Sequence, residues 1–294
     1  MESPPLVIYD WMVHAHRIFD LYQDYKRLFP PKKYQTMIKG AWAISLNHPI
    51  DFLPLQNYRV VVVNDFKDED GCYWRKHEGE KDPLLAEAWG NYSGGKGKPE
   101  AYKGHRTGRN EDFWEVEKIG REYAHCYFPF YSEQGFEADD WAGLAHRLHT
   151  GERTMYLSTI DRDWSMLVDD DRNILFANTR VSRKKEFIQK RLVDNAGVIL
   201  HTKHRLKVDI SHPRELAFAK ALKGDMGDNL PPGSPVYLFD LVNPPDKWKL
   251  ENHCPDKASL FKRDMLNPEP NNHLEHIEEV RGKLPQLFDR VSSS

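Results

Sequence analysis

The run Tyr58-Arg59-Val60-Val61-Val62-Val63 most constrains the fold, because four consecutive valines leave it no polar face. β-Branched residues favour strands, and a strand that is apolar on both faces is typical of a parallel sheet covered by helices. Apolar residues recur at helical spacing on either side of this chain region, from His14 to Leu28 and from Thr36 to Leu46 before it, and from Phe113 to Tyr127 after it. The sequence therefore predicts an α/β fold, with a mostly parallel central sheet flanked by helices.

Further elements follow from the same patterns. Short apolar runs predict strands at Leu6–Tyr9, Thr154–Ser158, Ile174–Ala177 and Val198–Leu200, and helical spacing recurs from Glu137 and from Leu274 to Leu287. Between Lys67 and Arg109 the chain is rich in charge and contains the glycine-rich stretch Tyr92–Pro99. This composition predicts a flexible excursion outside the core.

Composition limits the class of protein. The 294 residues carry a formal net charge of -3 and contain three widely spaced cysteines, Cys72, Cys126 and Cys254. This spacing indicates neither a disulfide framework nor a zinc ribbon. No apolar run approaches the roughly 20 residues of a membrane span, and the first five residues lack the features of a signal peptide. The sequence thus predicts a cytoplasmic protein with no membrane contact.

Charge is unevenly distributed along the chain. From Arg180 to Lys207, nine Lys and Arg residues stand against Glu186 and Asp194, a local net charge of +7. Such a stripe is more often a solvated face than a binding surface. A site that requires an anionic substrate would favour the second interpretation.

Carboxylates recur at the ends of the predicted strands. Asp10 and Asp65 each lie just beyond a strand, the pair Asp161 and Asp163 lies beyond a third, and Glu137, Asp139 and Asp140 crowd the start of a helix. A single Asp after a strand is usually a turn or cap residue. Because the carboxyl ends of parallel strands share one edge, these acids are expected to converge there.

A group of carboxylates without His or Cys favours a hard, oxygen-seeking ion, so Mg²⁺ or Mn²⁺ is expected in preference to Zn²⁺. Two such ions about 4 Å apart suit an in-line displacement at phosphorus. The substrate of this chemistry is anionic, which favours phosphate binding by the Arg180–Lys207 stripe.

Three motifs resemble the 5′-nuclease, or flap endonuclease, superfamily in order and spacing. They read Gly135-Phe136-Glu137-Ala138-Asp139-Asp140, then Leu157-Ser158-Thr159-Ile160-Asp161-Arg162-Asp163-Trp164-Ser165-Met166-Leu167-Val168, then Leu222-Lys223-Gly224-Asp225-Met226-Gly227-Asp228-Asn229-Leu230-Pro231. The resemblance is greatest to the phage and bacterial branch, which includes phage RNase H-like proteins and the 5′-nuclease domain of DNA polymerase I, and it extends from about Leu6 to Pro231. It implies a PIN-like 5′-nuclease core over residues 1–178, with a helical arch at about 67–134, and a helical C-terminal region over 179–294.

The resemblance also implies roles for individual residues. Its metal-binding acids correspond to Asp10, Asp65, Glu137, Asp139, Asp140, Asp161, Asp163, Asp225 and Asp228. Asp10, Glu137 and Asp139 are expected near the more tightly held ion, and Asp161, Asp163, Asp225 and Asp228 near the second, with Asp140 open to either. Asp10, Asp139 and Asp161 are expected to be essential for catalysis.

Substrate contacts are implied by a second stretch, Tyr102-Lys103-Gly104-His105-Arg106, which resembles the base of the family's helical arch. On this interpretation Lys103 and Arg106 hold the scissile phosphate and Tyr102 stacks on an unpaired base. Arg17 follows the first motif where the family often has a basic residue. Arg183, Lys184 and Lys185 in the basic stripe are expected to bind the DNA.

The sequence departs from the family after Asn229, where Leu230-Pro231-Pro232-Gly233-Ser234-Pro235 replaces a glycine-rich hairpin. Residues of about 215–240 are therefore expected to form only a variant of the family's helix-hairpin-helix segment. The Arg180–Lys207 stripe or a partner protein is the alternative means of holding duplex DNA. The implied function is a two-metal 5′→3′ exonuclease or flap endonuclease that acts on DNA with 5′ flaps or ends or on RNA–DNA hybrids, with a single-strand-binding protein or polymerase as a candidate partner. A non-catalytic binder of branched nucleic acid and a PIN-like ribonuclease remain as alternatives.

Overall fold

The computed structural model describes residues 3–50, 53, 56–91, 103, 110–178, 213–225 and 227–283. Within them, five parallel strands form one sheet in the order β3-β2-β1-β4-β5. The strands are β1 (Leu6–Asp10), β2 (Arg59–Val63), β3 (Phe130–Tyr131), β4 (Met155–Thr159) and β5 (Ile174–Asn178). The predicted fold class is therefore confirmed. The strand predicted at Val198–Leu200 lies outside the described residues.

Helices connect the strands and form the C-terminal part. The α-helices are α1 (Trp11–Leu28), α2 (Pro31–Asn47), α3 (Trp74–Lys81), α4 (Pro83–Asn91), α5 (Glu111–Tyr127), α6 (Ala138–Leu148), α7 (Glu215–Lys223), α8 (Leu250–His253), α9 (Pro255–Leu266) and α10 (Leu274–Lys283). Short 3-10 helices occupy Arg162–Leu167, Val236–Leu238 and Asp246–Trp248. None of the described helices combines the length and the apolar character that crossing a membrane requires.

The valine run forms the middle of the sheet because both of its faces are covered. Val61 and Val63 pack in a core layer with Trp141 of α6, whereas Val60 and Val62 pack on the other side with Trp42 of α2. All four valines are completely buried. A strand buried on both faces needs no polar alternation, as its sequence indicated.

The registry of the strands brings their carboxyl ends to one edge of the sheet. Asp10 lies opposite Val63 of β2, and Tyr9 lies opposite Ser158 of β4. Asp65 and Asp161 follow two residues beyond these strand ends. The chain connections therefore deliver several acids to the same edge.

The polar region after β2 is not wholly outside the core, contrary to the sequence-based expectation. It contains α3 and α4, and Trp74, Leu85 and Trp89 are buried. Trp74 packs in the layer that contains α6, and Trp89 packs against α7. Trp74 in the charged helix α3, and Leu85 and Trp89 four residues apart in α4, anchor these helices, which are too short for a sustained helical period.

The C-terminal segment pairs with the start of β2, which β3 does not reach. The amide side chain of Asn271 accepts a hydrogen bond from the Val60 backbone N–H at 2.7 Å and donates to the Val60 carbonyl at 2.8 Å. Asn272 accepts from the Tyr58 N–H at 2.7 Å. These amides satisfy backbone groups that the two-residue strand β3 leaves unpaired. The C-terminal segment is therefore part of the same core.

Candidate metal centre

Asp10 ends β1 and begins α1, which places its carboxylate at the carboxyl edge of the sheet. It caps α1 through a 3.4 Å contact with the Val13 N–H, and its other oxygen accepts a 2.6 Å hydrogen bond from the Thr159 hydroxyl at the end of β4. The pKa of Asp10 is raised to about 8. Burial is the largest cause and the charges of Asp65 and Asp161 add to it, whereas the Thr159 hydrogen bond opposes them. Three strand ends thus meet at one carboxyl group.

Asp65 connects this edge to the start of α6. Its carboxylate accepts a 2.8 Å hydrogen bond from the Ala138 N–H, the first residue of the helix. A helix N-terminus has unpaired N–H groups and a partial positive charge, both of which favour a carboxylate. The contact holds the acids of α6 beside Asp10 and Asp65.

Glu137 and Asp140 form a reciprocal cap at the start of α6, in which the Glu137 N–H donates to Asp140 at 2.9 Å. Both side chains also bind the guanidinium of Arg75, which reaches them from α3. Burial alone would raise the pKa of Glu137, but the positive charges of Lys103 and Arg75 outweigh it and lower the pKa. Glu137 is therefore an ionised carboxylate that is almost completely buried.

Asp139 lies between Glu137 and Asp140 but has different surroundings. Its carboxylate accepts a 2.7 Å hydrogen bond from the indole N–H of Trp164. Burial raises its pKa well above the ordinary value, and the negative charges of Asp161 and Glu137 add to the increase. A positive ion beside Asp139 and Asp161 would reverse this effect.

Three further carboxylates, those of Asp163, Asp225 and Asp228, have oxygen atoms within 4.8 Å of one another. The pKa of Asp163 is raised to about 7. Burial is the largest cause and the charges of Asp161, Asp228 and Asp225 add to it, whereas the charge of Lys220 opposes them. The Lys220 ammonium contacts Asp163 and lies 2.6 Å from Asp225. Burial would lower the pKa of Lys220, but its three acidic neighbours raise it, so the lysine remains charged.

A tight loop after α7 positions Asp225 and Asp228. Asp225 and Leu230 exchange two backbone hydrogen bonds of 2.8 Å, and the indole N–H of Trp89 donates to the Asn229 carbonyl at 3.1 Å. Gly224 starts the loop with a φ of 71°, and a Cβ on this residue would lie 2.3 Å from the Leu230 carbonyl oxygen. Only glycine fits this approach without strain.

Lys103 connects the two groups of acids. Its backbone N–H donates to the Asp228 carbonyl at 2.9 Å. Its ammonium contacts Glu137 and lies 3.9 Å from an Asp228 oxygen. The backbone of Lys103 has a φ of 54°, in the left-handed region that few residues other than glycine adopt. Strain of this kind is common at functional sites.

Eight of the predicted acids therefore lie in one connected group. These are Asp10, Asp65, Glu137, Asp139, Asp161, Asp163, Asp225 and Asp228. Asp140 differs, because Arg75, the Trp74 indole and the Glu137 N–H already bind its two oxygens. A metal-ligand role for Asp140 remains a prediction, and it would require these donors to move.

The predicted substrate contacts are only partly within the described residues. Arg17 is half-buried on α1. Burial is the main cause of the lowered pKa of His14, and the charge of Arg17 is the second. Lys103 lies at the site. Tyr102, Arg106, Arg183, Lys184 and Lys185 lie outside the described residues, so their roles remain predictions.

Two basic residues at the site had no role assigned from the sequence, namely Arg75 and Lys220. The one available signal was a cation adjacent to buried apolar residues: Arg75 follows Trp74, and Lys220 lies between Ala219 and Ala221 on α7. Thr159 and Trp164 were also given no role, although both lie within the Leu157–Val168 motif. Their contacts depend on residues distant in the sequence.

The donor set fits a hard divalent cation. All eight acids offer carboxylate oxygens, which Mg²⁺ and Mn²⁺ prefer, and the described part of the chain places no His or Cys among them. The raised pKa values of Asp10, Asp139 and Asp163 show that the positive charges of Lys103, Arg75 and Lys220 do not fully compensate the acids. Divalent ions would supply the missing charge.

Comparison with known proteins gives structural matches only. No family model matches the chain, and no curated protein matches it. Among solved structures, it is similar to a bacteriophage T5 protein co-crystallized with metal ions, with 16% identity, 98% and 97% coverage of the two chains and a TM-score of 0.44. A bacteriophage T5 flap endonuclease in a pseudo-enzyme-product complex with DNA and metal ions matches with 16% identity, 98% and 96% coverage and a TM-score of 0.43. A mutant T5 5′-exonuclease matches with 15% identity, the same coverage and a TM-score of 0.41.

Proposed function

We propose that this chain is a metal-dependent nuclease of the 5′-nuclease superfamily, which hydrolyses phosphodiester bonds in DNA with 5′ flaps or ends or in RNA–DNA hybrids. One observation carries the proposal. Eight carboxylates from five separate segments converge at the carboxyl edge of a parallel sheet, and the pKa of three of them is raised by burial and mutual repulsion. The motifs that supply these acids are those that resemble the family.

Such a group has no structural advantage. A carboxyl group with a pKa of about 8 instead of 3.8 destabilises the folded protein by about 4 kcal/mol at pH 7, since one pH unit corresponds to about 1.4 kcal/mol. Asp139 and Asp163 add penalties of the same kind. This cost supports a role in binding cations, because strongly perturbed groups in one cluster indicate a functional site.

Seven of the eight acids would form two groups that each hold an ion, and Asp65 is assigned to neither. Asp10, Glu137 and Asp139 form the first group, and Asp161, Asp163, Asp225 and Asp228 form the second. When bound, two divalent ions would activate water for attack on phosphorus and stabilise the charge on the leaving oxygen. The chain itself would orient the substrate, with Lys103 positioned between the two groups as a cation for the scissile phosphate.

The remaining assignments come from the resemblance. Arg106 would share the phosphate with Lys103, Tyr102 would stack on an unpaired base, and Arg183, Lys184 and Lys185 would bind the duplex. A non-catalytic nucleic-acid binder would gain nothing from buried, repelling carboxylates, and they would weaken its affinity for phosphates. The nuclease interpretation is therefore favoured over the binding protein.

The test is cleavage of a 5′-labelled flap duplex and an RNA-primed duplex, with Mg²⁺ and with EDTA. We expect products with Mg²⁺ only, and their lengths would identify the position of the cut. Asp139→Asn and Asp161→Asn should each abolish cleavage and retain DNA binding. Asp256→Asn is the control, because Asp256 is an exposed acid in the first turn of α9. Binding without cleavage of either substrate by the wild-type protein would refute the nuclease.

A further inference from the structure

Arg75 is a completely buried cation that no motif identified. It is the second residue of α3, and only 2% of it is exposed. Its guanidinium stacks on the Trp74 ring, with its central carbon 4.6 Å from the ring centroid. A charge in such surroundings is stable only when its hydrogen-bonding groups have good partners.

The guanidinium meets two acids of α6 at fixed atoms. Nη1 donates to Glu137 Oε2 at 2.8 Å and to Asp140 Oδ2 at 3.1 Å, and Nη2 donates to Asp140 Oδ1 at 2.8 Å. The contact with Asp140 is therefore bidentate, which specifies direction as well as charge. Nε donates to the Leu238 carbonyl at 3.1 Å.

These contacts divide the two oxygens of Glu137 between different partners. Oε2 binds Arg75, whereas Oε1 faces Lys103 and the Asp228 side of the site. Asp140 anchors the arrangement, since its oxygens also accept from Trp74 Nε1 at 3.1 Å and from the Glu137 N–H at 2.9 Å. Rotation of Glu137 away from the site would break a buried ion pair.

We propose that Arg75 is a positioning residue for the metal centre, which holds Glu137 so that Oε2 is turned away from the site and Oε1 is directed into it, on the side of Lys103 and Asp228. The inference rests on the proposed function, because it assigns Glu137 to a metal. Arg75 acts through Glu137 and Asp140 and does not contact the substrate. Asp140 serves as the anchor of the guanidinium, which explains why two adjacent acids of one motif have different surroundings.

The Leu238 contact extends the arrangement to the C-terminal region. Leu238 ends the 3-10 helix Val236–Leu238, which follows the loop that bears Asp225 and Asp228. Arg75 thus joins α3, α6 and the segment after the second group of acids in one buried contact. Correct packing of that segment and correct orientation of Glu137 depend on the same side chain.

Arg75→Lys tests the proposal, because lysine keeps the charge and loses the planar fork. Mn²⁺ binding to the protein without DNA, followed by electron paramagnetic resonance of the free ion, measures the metal site independently of cleavage. We expect a 10- to 100-fold loss of Mn²⁺ affinity, the usual effect of removing a partner that orients a metal ligand. The single-turnover cleavage rate with saturating DNA should fall, while DNA affinity in EDTA should not change.

Arg147→Lys is the matched control at the other end of α6. Arg147 also forms a bidentate ion pair, with Glu251 at 2.8 and 2.7 Å, and also donates to backbone carbonyls. Its substitution should leave Mn²⁺ affinity unchanged. Equal losses in both variants would show a general loss of packing and overturn the proposal, as would unchanged affinity in Arg75→Lys.

Trp74→Phe covers the case in which Arg75→Lys does not fold. Phenylalanine keeps a ring below the guanidinium and removes the hydrogen bond to Asp140. We expect a severalfold loss of Mn²⁺ affinity, and an unchanged affinity would overturn the proposal. A wild-type protein that binds Mn²⁺ and cuts neither substrate would refute the nuclease function, and the effect of Arg75 on Mn²⁺ binding would still be measured.

Discussion

Replacing Lys220 by methionine removes the buried cation between Asp163 and Asp225 while it keeps most of the side-chain volume. Asp163 already has a pKa of about 7, so it is half protonated at pH 7 and loses little more. Asp225, 2.6 Å from the ammonium, is the charge that loses its partner. The variant therefore isolates the contribution of one internal cation to folding without metal.

The expected effect follows from the loss of the cation that pairs with Asp225. Removing one member of a buried ion pair typically costs about 3–5 kcal/mol. Because 24% of the Asp225 side chain is exposed, water screens part of its charge, and we expect a loss of about 3 kcal/mol in the free energy of unfolding.

Urea unfolding in EDTA at pH 7 measures this loss. Mg²⁺ should restore more stability to Lys220→Met than to the wild type, because the ion replaces the missing charge. Lys249→Met is the control, since Lys249 pairs with Asp246, whose side chain is 86% exposed, and it should lose less than about 1 kcal/mol. Equal losses in the two variants would refute the assignment of Lys220 as an internal counterion.

Three further predictions concern the arch, the core and the loop. Lys103→Ala should lower the turnover rate far more than DNA affinity, and an effect confined to affinity, measured by single-turnover kinetics and filter binding, would show that Lys103 only positions the phosphate. Burial, and to a lesser extent the charge of Arg17, hold the pKa of His14 well below 6.5. Below pH 6.5 the unfolded chain therefore binds a proton that the folded protein does not. The contribution of His14 to the free energy of unfolding should be complete above pH 6.5 and decrease as the pH falls below it. His14→Gln should flatten that decrease in thermal unfolding measured between pH 7.5 and pH 5.5, and an unchanged slope would contradict the assignment. Gly224→Ala should lose about 1–3 kcal/mol, because its φ is 71° and its Cβ would meet the Leu230 carbonyl, whereas Gly282→Ala on α10, where nothing lies within 4 Å of the added Cβ, should not destabilise the protein.

The strands and the acids that follow them could be predicted because each signal is local. A run of four valines is a strand whatever lies elsewhere in the chain, and an Asp directly after it must lie at the carboxyl edge if the sheet is parallel. The helix bounds were also close, with Phe113–Tyr127 predicted and Glu111–Tyr127 found. The short helices α3 and α4 were missed, since Trp74 of α3 is followed mainly by charged residues and the nine residues of α4 are too few for a sustained helical period.

The partners of the acids could not be predicted in the same way. Trp164 binds Asp139 and Thr159 binds Asp10, although neither residue differs in type from many that have no role at the site. From the sequence, Asp139 was expected near the first ion and Asp140 near either one, but nothing indicated that their hydrogen-bond partners would differ. Their surroundings differ because adjacent residues at a helix start point in different directions, one toward Trp164 and the other toward Arg75.

By itself, then, the sequence determined a parallel α/β sheet with a row of acids at one edge, because strand type and the position of an acid after a strand depend on neighbouring residues alone. The tertiary structure decided how that negative charge is compensated. Arg75 is 62 residues from Glu137 and Lys220 is 57 residues from Asp163. The interaction between a cation and a carboxylate depends on their distance and on their burial. Both quantities are fixed only when the helices that carry Arg75 and Lys220 have packed on the sheet.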